Sequence, residues 1–165
     1  MMKSGAIVVA AAVCGFCSVA NAKDSSYAPS FSCVGGPLGL DVPPTYSALR
    51  ELGPIQGEKT IKSDSPGVGE ASRRGIWFSG LVLDLYTFAH QPQRYLIASA
   101  TIKDKRWRIA GPLRVGQTVD EARERLAAFG VTLDPTLSFG GDGGKITLKL
   151  SANVISEIDY SCYTG

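Results

Sequence analysis

The middle of the chain alternates between apolar and polar positions with the period of a β-strand. In "IWFSGLVLDLYTF" (76–88), Leu81, Leu83 and Leu85 fall on one face, and Val82, Asp84 and Tyr86 fall on the other. "YLIASATIK" (95–103) reads as the return strand, with Leu96, Ala98, Ala100 and Ile102 on one face. Tyr95, Ile97, Ser99 and Thr101 lie opposite, and "AHQPQR" is the hairpin connection. Toward the C-terminus, "KITLKL" and "VISEIDYSCY" form a last hairpin through Ser151-Ala152-Asn153, after a turn at Gly141-Asp142-Gly143-Gly144.

The period changes twice. "TYSALRELGP" places Ala48, Leu49 and Leu52 at helical spacing and stops at Gly53-Pro54. "TVDEARERLAAFG" carries a stripe of Val119, Ala122, Leu126 and Phe129, opened by a Thr118/Glu121 capping box and closed by Gly130. Its charges lie off the stripe and read as a solvated face. From Gln56 to Gly75, Gly, Ser, Asp and Pro recur without a period, which predicts a long loop. "KDSSYAPS" reads as a loose N-terminal arm. Helices and strands are not interleaved as a parallel sheet requires. The predicted class is α+β, an antiparallel β-sheet with helices packed on one face.

"LDVPPTYSALRELG" and "LRVGQTVDEARERL" align without gaps, pairing Leu40 with Leu113, Val42 with Val115, Thr45 with Thr118, Arg50 with Arg123 and Glu51 with Glu124. Each is followed by a hairpin region. Two degenerate helix-then-hairpin repeats are therefore expected, about 31–109 and about 110–165. The phrase formed by Leu113, Val115, Gly116, Thr118 and Glu121, with the hairpin after it, resembles the helix-then-sheet unit of the β-lactamase-inhibitor-protein-like fold. It is also similar to the small outer-membrane assembly lipoproteins of the SmpA/OmlA type. The resemblance covers Leu113 to Tyr160 and, more faintly, Leu40 to Ile102. Pro43-Pro44 replaces Gly-Gln in the first copy, and the mature chain has no lipoprotein cysteine. The resemblance implies a binding surface on the sheet.

Composition bears mainly on compartment. "MMKSGAIVVAAAVCGFCSVANA" has one charge, an uncharged run and Ala20-Asn21-Ala22, the pattern of a secretory signal peptide over residues 1–22. The alternatives are an uncleaved anchor or lipidation at Cys14 or Cys17, which Val13 and Phe16 disfavour. Cleavage leaves 23–165 as a single periplasmic domain without stable membrane insertion. Cys33 and Cys162 then pair most simply as one disulfide. Across the chain, 17 Lys+Arg stand against 15 Asp+Glu. So balanced a chain is a poor nucleic-acid binder.

Catalytic signatures are weak. His90 lies in a predicted turn, and Ser79 lacks the nucleophile-elbow context. "GGDGGKIT" fails as a phosphate loop, with Phe139 at the first Gly position and Ile146 at the hydroxyl position. No cofactor or metal is expected. Glu157 and Asp159 share a strand face at a spacing compatible with acid–base work, so a small hydrolase is one alternative. The more suggestive residues are aromatic or basic: Arg73, Arg74, Trp77, Tyr86, His90, Tyr95, Arg106 and Trp107. These types concentrate binding energy in protein interfaces, although Trp107 also reads as a plug beside the second helix. The expected function is a non-enzymatic inhibitor or immunity protein that occludes a toxic enzyme, such as a peptidoglycan-degrading effector, by inserting the 63–74 loop or the His90 turn. An envelope-assembly or scaffold protein of the outer membrane is the other alternative.

Overall fold

Thr45 and Thr118, paired in the sequence alignment, are both helix N-caps. The computed structural model describes residues 26–28, 31–62 and 71–163. Thr45 caps α1 (Tyr46–Arg50), its hydroxyl accepting from the Ala48 amide. Thr118 caps α2 (Val119–Ala127), accepting from the Glu121 amide at 3.2 Å while Glu121 accepts from the Thr118 amide at 2.8 Å. Each cap satisfies amides that the first helical turn leaves without partners. Leu49, Ala122 and Leu126 are fully buried. Phe129 is not on the buried stripe: α2 has ended, the ring is 45% exposed, and Val131 enters the core after the turn at Gly130.

Among the described residues, seven strands form one sheet in the order β1-β2-β3-β4-β7-β6-β5, every neighbouring pair antiparallel. They are β1 (Ile55–Lys62), β2 (Ala71–Phe78), β3 (Leu81–Phe88), β4 (Gln91–Ile102), β5 (Ser138–Gly141), β6 (Gly144–Ser151) and β7 (Val154–Cys162). The predicted loop over 56–75 is thus largely a pair of strands. β1 is an edge strand with Gln56, Glu58, Lys59 and Thr60 exposed, so burial imposes no alternation that a sequence pattern would reveal. Residues 63–70, most of the loop expected to enter a partner, and the predicted signal 1–22 lie outside the described residues.

β3 alternates as its sequence predicts, with Leu81, Leu83 and Leu85 completely buried. β4 does not. Asp84 pairs with Ser99 but Leu85 pairs with Ile97, so Ala98 is an extra residue that reverses the facing of Tyr95 to Ile97. Ile97 therefore joins Ala100 and Ile102 in the core, and Tyr95, opposite the buried Thr87, also turns to the core face. The connection is shorter than "AHQPQR", because only Ala89-His90 separate β3 from β4.

The N-terminal arm is tied down where it is described. The Ala28 amide donates to Gly140 O at 2.8 Å, and the Gly140 amide donates to Ser26 O at 3.0 Å, which extends the sheet past β5. A Cβ on Gly141 would lie 1.9 Å from Ala28 O, so the glycine run seats this arm as well as turning the chain. Beside it, Cys33 and Cys162 form the disulfide, Cα atoms 5.5 Å apart. The buried Tyr160 hydroxyl donates to Leu38 O at 3.2 Å, a second tie between the same segments.

Closing a loop of sequence separation 129 removes much of the unfolded chain's freedom. Replacing both cysteines with Ala should lower the unfolding free energy by up to about 5 kcal/mol in urea titration under oxidising conditions. Asp134 supplies a pH-dependent contribution. Its carboxylate accepts from the Thr136 hydroxyl and amide and from the Ser138 hydroxyl and amide, at 2.7–2.9 Å, which holds its pKa down to about 2. The unfolded carboxyl takes its proton near pH 4, before the folded one does. The contribution is full above that pH and disappears as pH falls toward 2. Asp134→Asn should be less stable than wild type at pH 7, with the gap narrowing between about pH 4 and 2 in thermal melts.

Candidate interaction surface

Strand alternation separates the two neighbouring arginines. Arg73 points to the outer face, away from the buried core, and its Nε donates to both Asp84 oxygens at 3.0 and 2.9 Å. Arg74 points to the core face. Its Nε donates to Thr87 Oγ1 at 3.1 Å and its Nη1 to Glu58 Oε1 at 3.0 Å. Glu58 also accepts from the Tyr46 hydroxyl at 2.8 Å and from Arg50 Nη2 at 3.1 Å. Burial would raise the Glu58 carboxyl, but the Tyr46 and Arg74 hydrogen bonds and the nearby arginine charges outweigh it and hold it low. Glu58 thus ties α1 to the first two strands.

Trp77 lies on the outer face across two glycines. A Cβ on Gly75 would meet Trp77 Cη2 at 2.8 Å, and one on Gly57 would meet Cε3 at 3.5 Å. The ring therefore lies flat on backbone that has no side chains of its own and remains 37% exposed. Tyr86, opposite Arg73 on β2 and Leu96 on β4, belongs to the same face. Trp77, Arg73 and Tyr86 are brought onto one surface. Tyr95 is not part of it: its hydroxyl donates to Pro43 O, and burial pushes its pKa up to about 12. His90 stands in the exposed β3–β4 turn.

Trp107 is a lock between segments. Its Nε1 donates to Ser79 O at 2.8 Å, and its ring meets Phe78 edge-on at 5.6 Å. Arg106 Nη2 donates to the same carbonyl at 3.0 Å and to Ser79 Oγ. Both hold the β2–β3 turn, and they border a 400 Å³ groove with Leu52, Gly53, Pro54 and Gln56.

Glu157 and Asp159 do share the outer face, and Lys149 lies between them. Its Nζ pairs with Asp159 Oδ2 at 2.9 Å and with Glu157 Oε1, while Lys103 Nζ pairs with Glu157 Oε2 at 3.0 Å. Thr101 Oγ1 donates to Asp159 Oδ1 at 2.8 Å. Burial would raise the Glu157 carboxyl, but Lys149 and Lys103 keep it low. A general acid needs the opposite shift. Among the described residues, no group of three or more His, Cys, Asp or Glu is arranged to hold a metal ion, and no helix is long and apolar enough to cross a membrane.

The sequence singles out Arg106 but does not join the cations of 105–108 to Arg114 and Arg125. Lys105, Arg106, Arg108, Arg114 and Arg125 line a 700 Å³ concavity with Asp104 and Val115. Arg114 and Arg125 lie on either side of the Thr118 cap, and no local spacing rule couples them. Only the path of the 103–117 connection brings them together.

The Trp107 lock yields a graded prediction. Trp107→Phe keeps a ring against Phe78 but loses the Ser79 hydrogen bond, and should cost about 1 kcal/mol. Trp107→Ala should cost about 3 kcal/mol in chemical denaturation. In comparisons with known proteins, no family model, no curated protein and no solved structure matches this chain significantly.

Proposed function

We propose that this chain is an exported, non-catalytic binding protein that acts on another protein as an inhibitor or immunity protein does, by covering the active site of a partner enzyme. The observation that carries the reading is the outer face around Trp77. A large aromatic ring lies flat and partly exposed on a glycine bed, with Arg73 and Tyr86 in the adjoining rows. Aromatic and Arg side chains held rigidly on a sheet give much contact area for little lost freedom. The Arg73–Asp84 pair sets the arginine's position before any partner arrives.

The duplicated architecture belongs to the same proposal. Leu40 and Leu113 are both fully buried, Leu49 and Ala122 are both fully buried, and Thr45 and Thr118 are both N-caps. On this reading two helix-then-sheet units lie side by side, both helices on the core face, leaving the opposite face for the partner. The first unit contributes four strands and the second three. The resemblance to the β-lactamase-inhibitor-protein-like fold belongs here too, as does export to the periplasm. The leader pattern and the disulfide support export. The reading moves the contact surface from an inserted loop to the sheet.

Crosslinking the purified protein in a periplasmic extract should capture a protein whose hydrolytic activity falls when the two are mixed in equal amounts. Trp77→Ala should weaken that complex roughly thirtyfold, and Tyr86→Ala should weaken it too, while both variants still melt cooperatively. Recovery of no protein partner, or of one whose activity is undiminished in the complex, rejects the reading.

A further inference from the structure

The 700 Å³ concavity between the 104–108 segment and the end of α2 is lined by five cationic side chains and a single acidic one. Asp104 is already committed, since its Oδ2 pairs with Arg106 Nε at 3.1 Å and its Oδ1 accepts from the Arg106 amide at 3.0 Å. Lys105, Arg108, Arg114 and Arg125 then have no carboxylate within 4.0 Å among the described residues. Glu121 lies one turn before Arg125 and contributes to its field, but its carboxylate is bonded to the amide and hydroxyl of Thr118 at 2.8 and 3.2 Å.

Two of these guanidiniums are positioned without being neutralised. Arg114 Nη1 donates to the carbonyls of Gly111 and Leu113, and Arg125 Nη1 donates to Pro112 O at 3.3 Å. Carbonyls orient a guanidinium but leave its charge in place. The cost is visible on Arg114, whose pKa is pushed down first by burial and then by Arg108 and Arg125. Three guanidiniums gathered from separate stretches of chain repel one another, and an anion seated among them removes that repulsion.

We propose that this groove binds a ligand carrying closely spaced phosphate groups, either a free oligophosphate or the phosphorylated head of a lipid. A carboxylate is planar and accepts best in one plane. A tetrahedral phosphate accepts from several directions, as guanidiniums at 108, 114 and 125 approaching from different stretches of backbone require. The concavity leaves room for more than one phosphate among these guanidiniums. The groove shares only Arg106 with the eight aromatic and basic residues singled out as a protein interface, and the proposal stands whether or not the chain inhibits an enzyme.

The test uses the full mature chain and two probes, sodium pyrophosphate and vesicles of cardiolipin in phosphatidylcholine. Pyrophosphate at a hundredfold excess over its Kd should raise the melting temperature by about 5–10 °C over sodium chloride at equal ionic strength. The double variant Arg108→Gln/Arg125→Gln should lose the shift and bind at least about tenfold more weakly per guanidinium removed. In chloride alone it should melt at or above the wild-type temperature, because like charges have been removed. A melting shift without flotation on cardiolipin vesicles assigns a soluble oligophosphate, and flotation without a shift assigns a lipid head. Both together mean that the phosphates suffice in either setting. No shift and no flotation, or equal responses from wild type and the double variant, overturn the proposal.

Discussion

Four residue pairs, Ser99 to Ile102 against Ser161 to Ile158, join the β1–β4 strands to the β5–β7 strands. The other strand pairs are sequence neighbours, and only the arm at Tyr27 adds a distant bridge to β5, among the described residues, so this seam makes one sheet out of two meanders. Its core side is built from Ala100, Ile102, Ile158 and Tyr160, all essentially inaccessible to solvent. Burial of large side chains such as these favours folding by roughly 1.5–3 kcal/mol each. On the outer side, Thr101 donates to Asp159, and Lys103 pairs with Glu157 across the same junction. Cys162 lies just past the seam, and its disulfide draws the start of the chain against the end of β7.

That seam gives the Glu157–Asp159 pair a structural role. The two carboxylates, Lys103 and Lys149 form one ion network spanning β4, β7 and β6, with Thr101 hydrogen-bonded to its edge. Such exposed networks contribute modestly to stability. They do position charge, and here they engage both carboxylates. The opposite situation holds beside α2, where Lys105, Arg108, Arg114 and Arg125 gather with no carboxylate within 4.0 Å among the described residues. Net charge close to neutral conceals both arrangements, since a chain average says nothing about where charges are neutralised.

The sequence was most informative where one local rule decides conformation. The Thr118 and Glu121 box and the Leu81/Leu83/Leu85 alternation each depend on residues within a single element, and each is found in the structure, whereas α1 ends at Arg50 with Glu51 as its cap, ahead of Gly53-Pro54. Reading failed where a neighbour decides. Ala98 reverses the facing of Tyr95 and Ile97 because it is an extra residue against β3, which only the pairing reveals. β1 looked like a loop because an edge strand has little burial to impose a period, and because Glu58, opposite Ile76 on the core-side register, is a charged residue held by Tyr46, Arg50 and Arg74.

By itself, then, the sequence determined both helix starts, the β3 alternation and the α+β character, because capping and strand alternation are short-range. It also named the two cysteines that pair, since residues 23–165 contain only those two. Tertiary structure alone decided the strand order, the bulge at Ala98, the separation of Arg73 from Arg74 and the gathering of Arg108, Arg114 and Arg125. Those outcomes depend on contacts between residues far apart in the chain, and the energy of such contacts is set by the assembled core and not by any local preference.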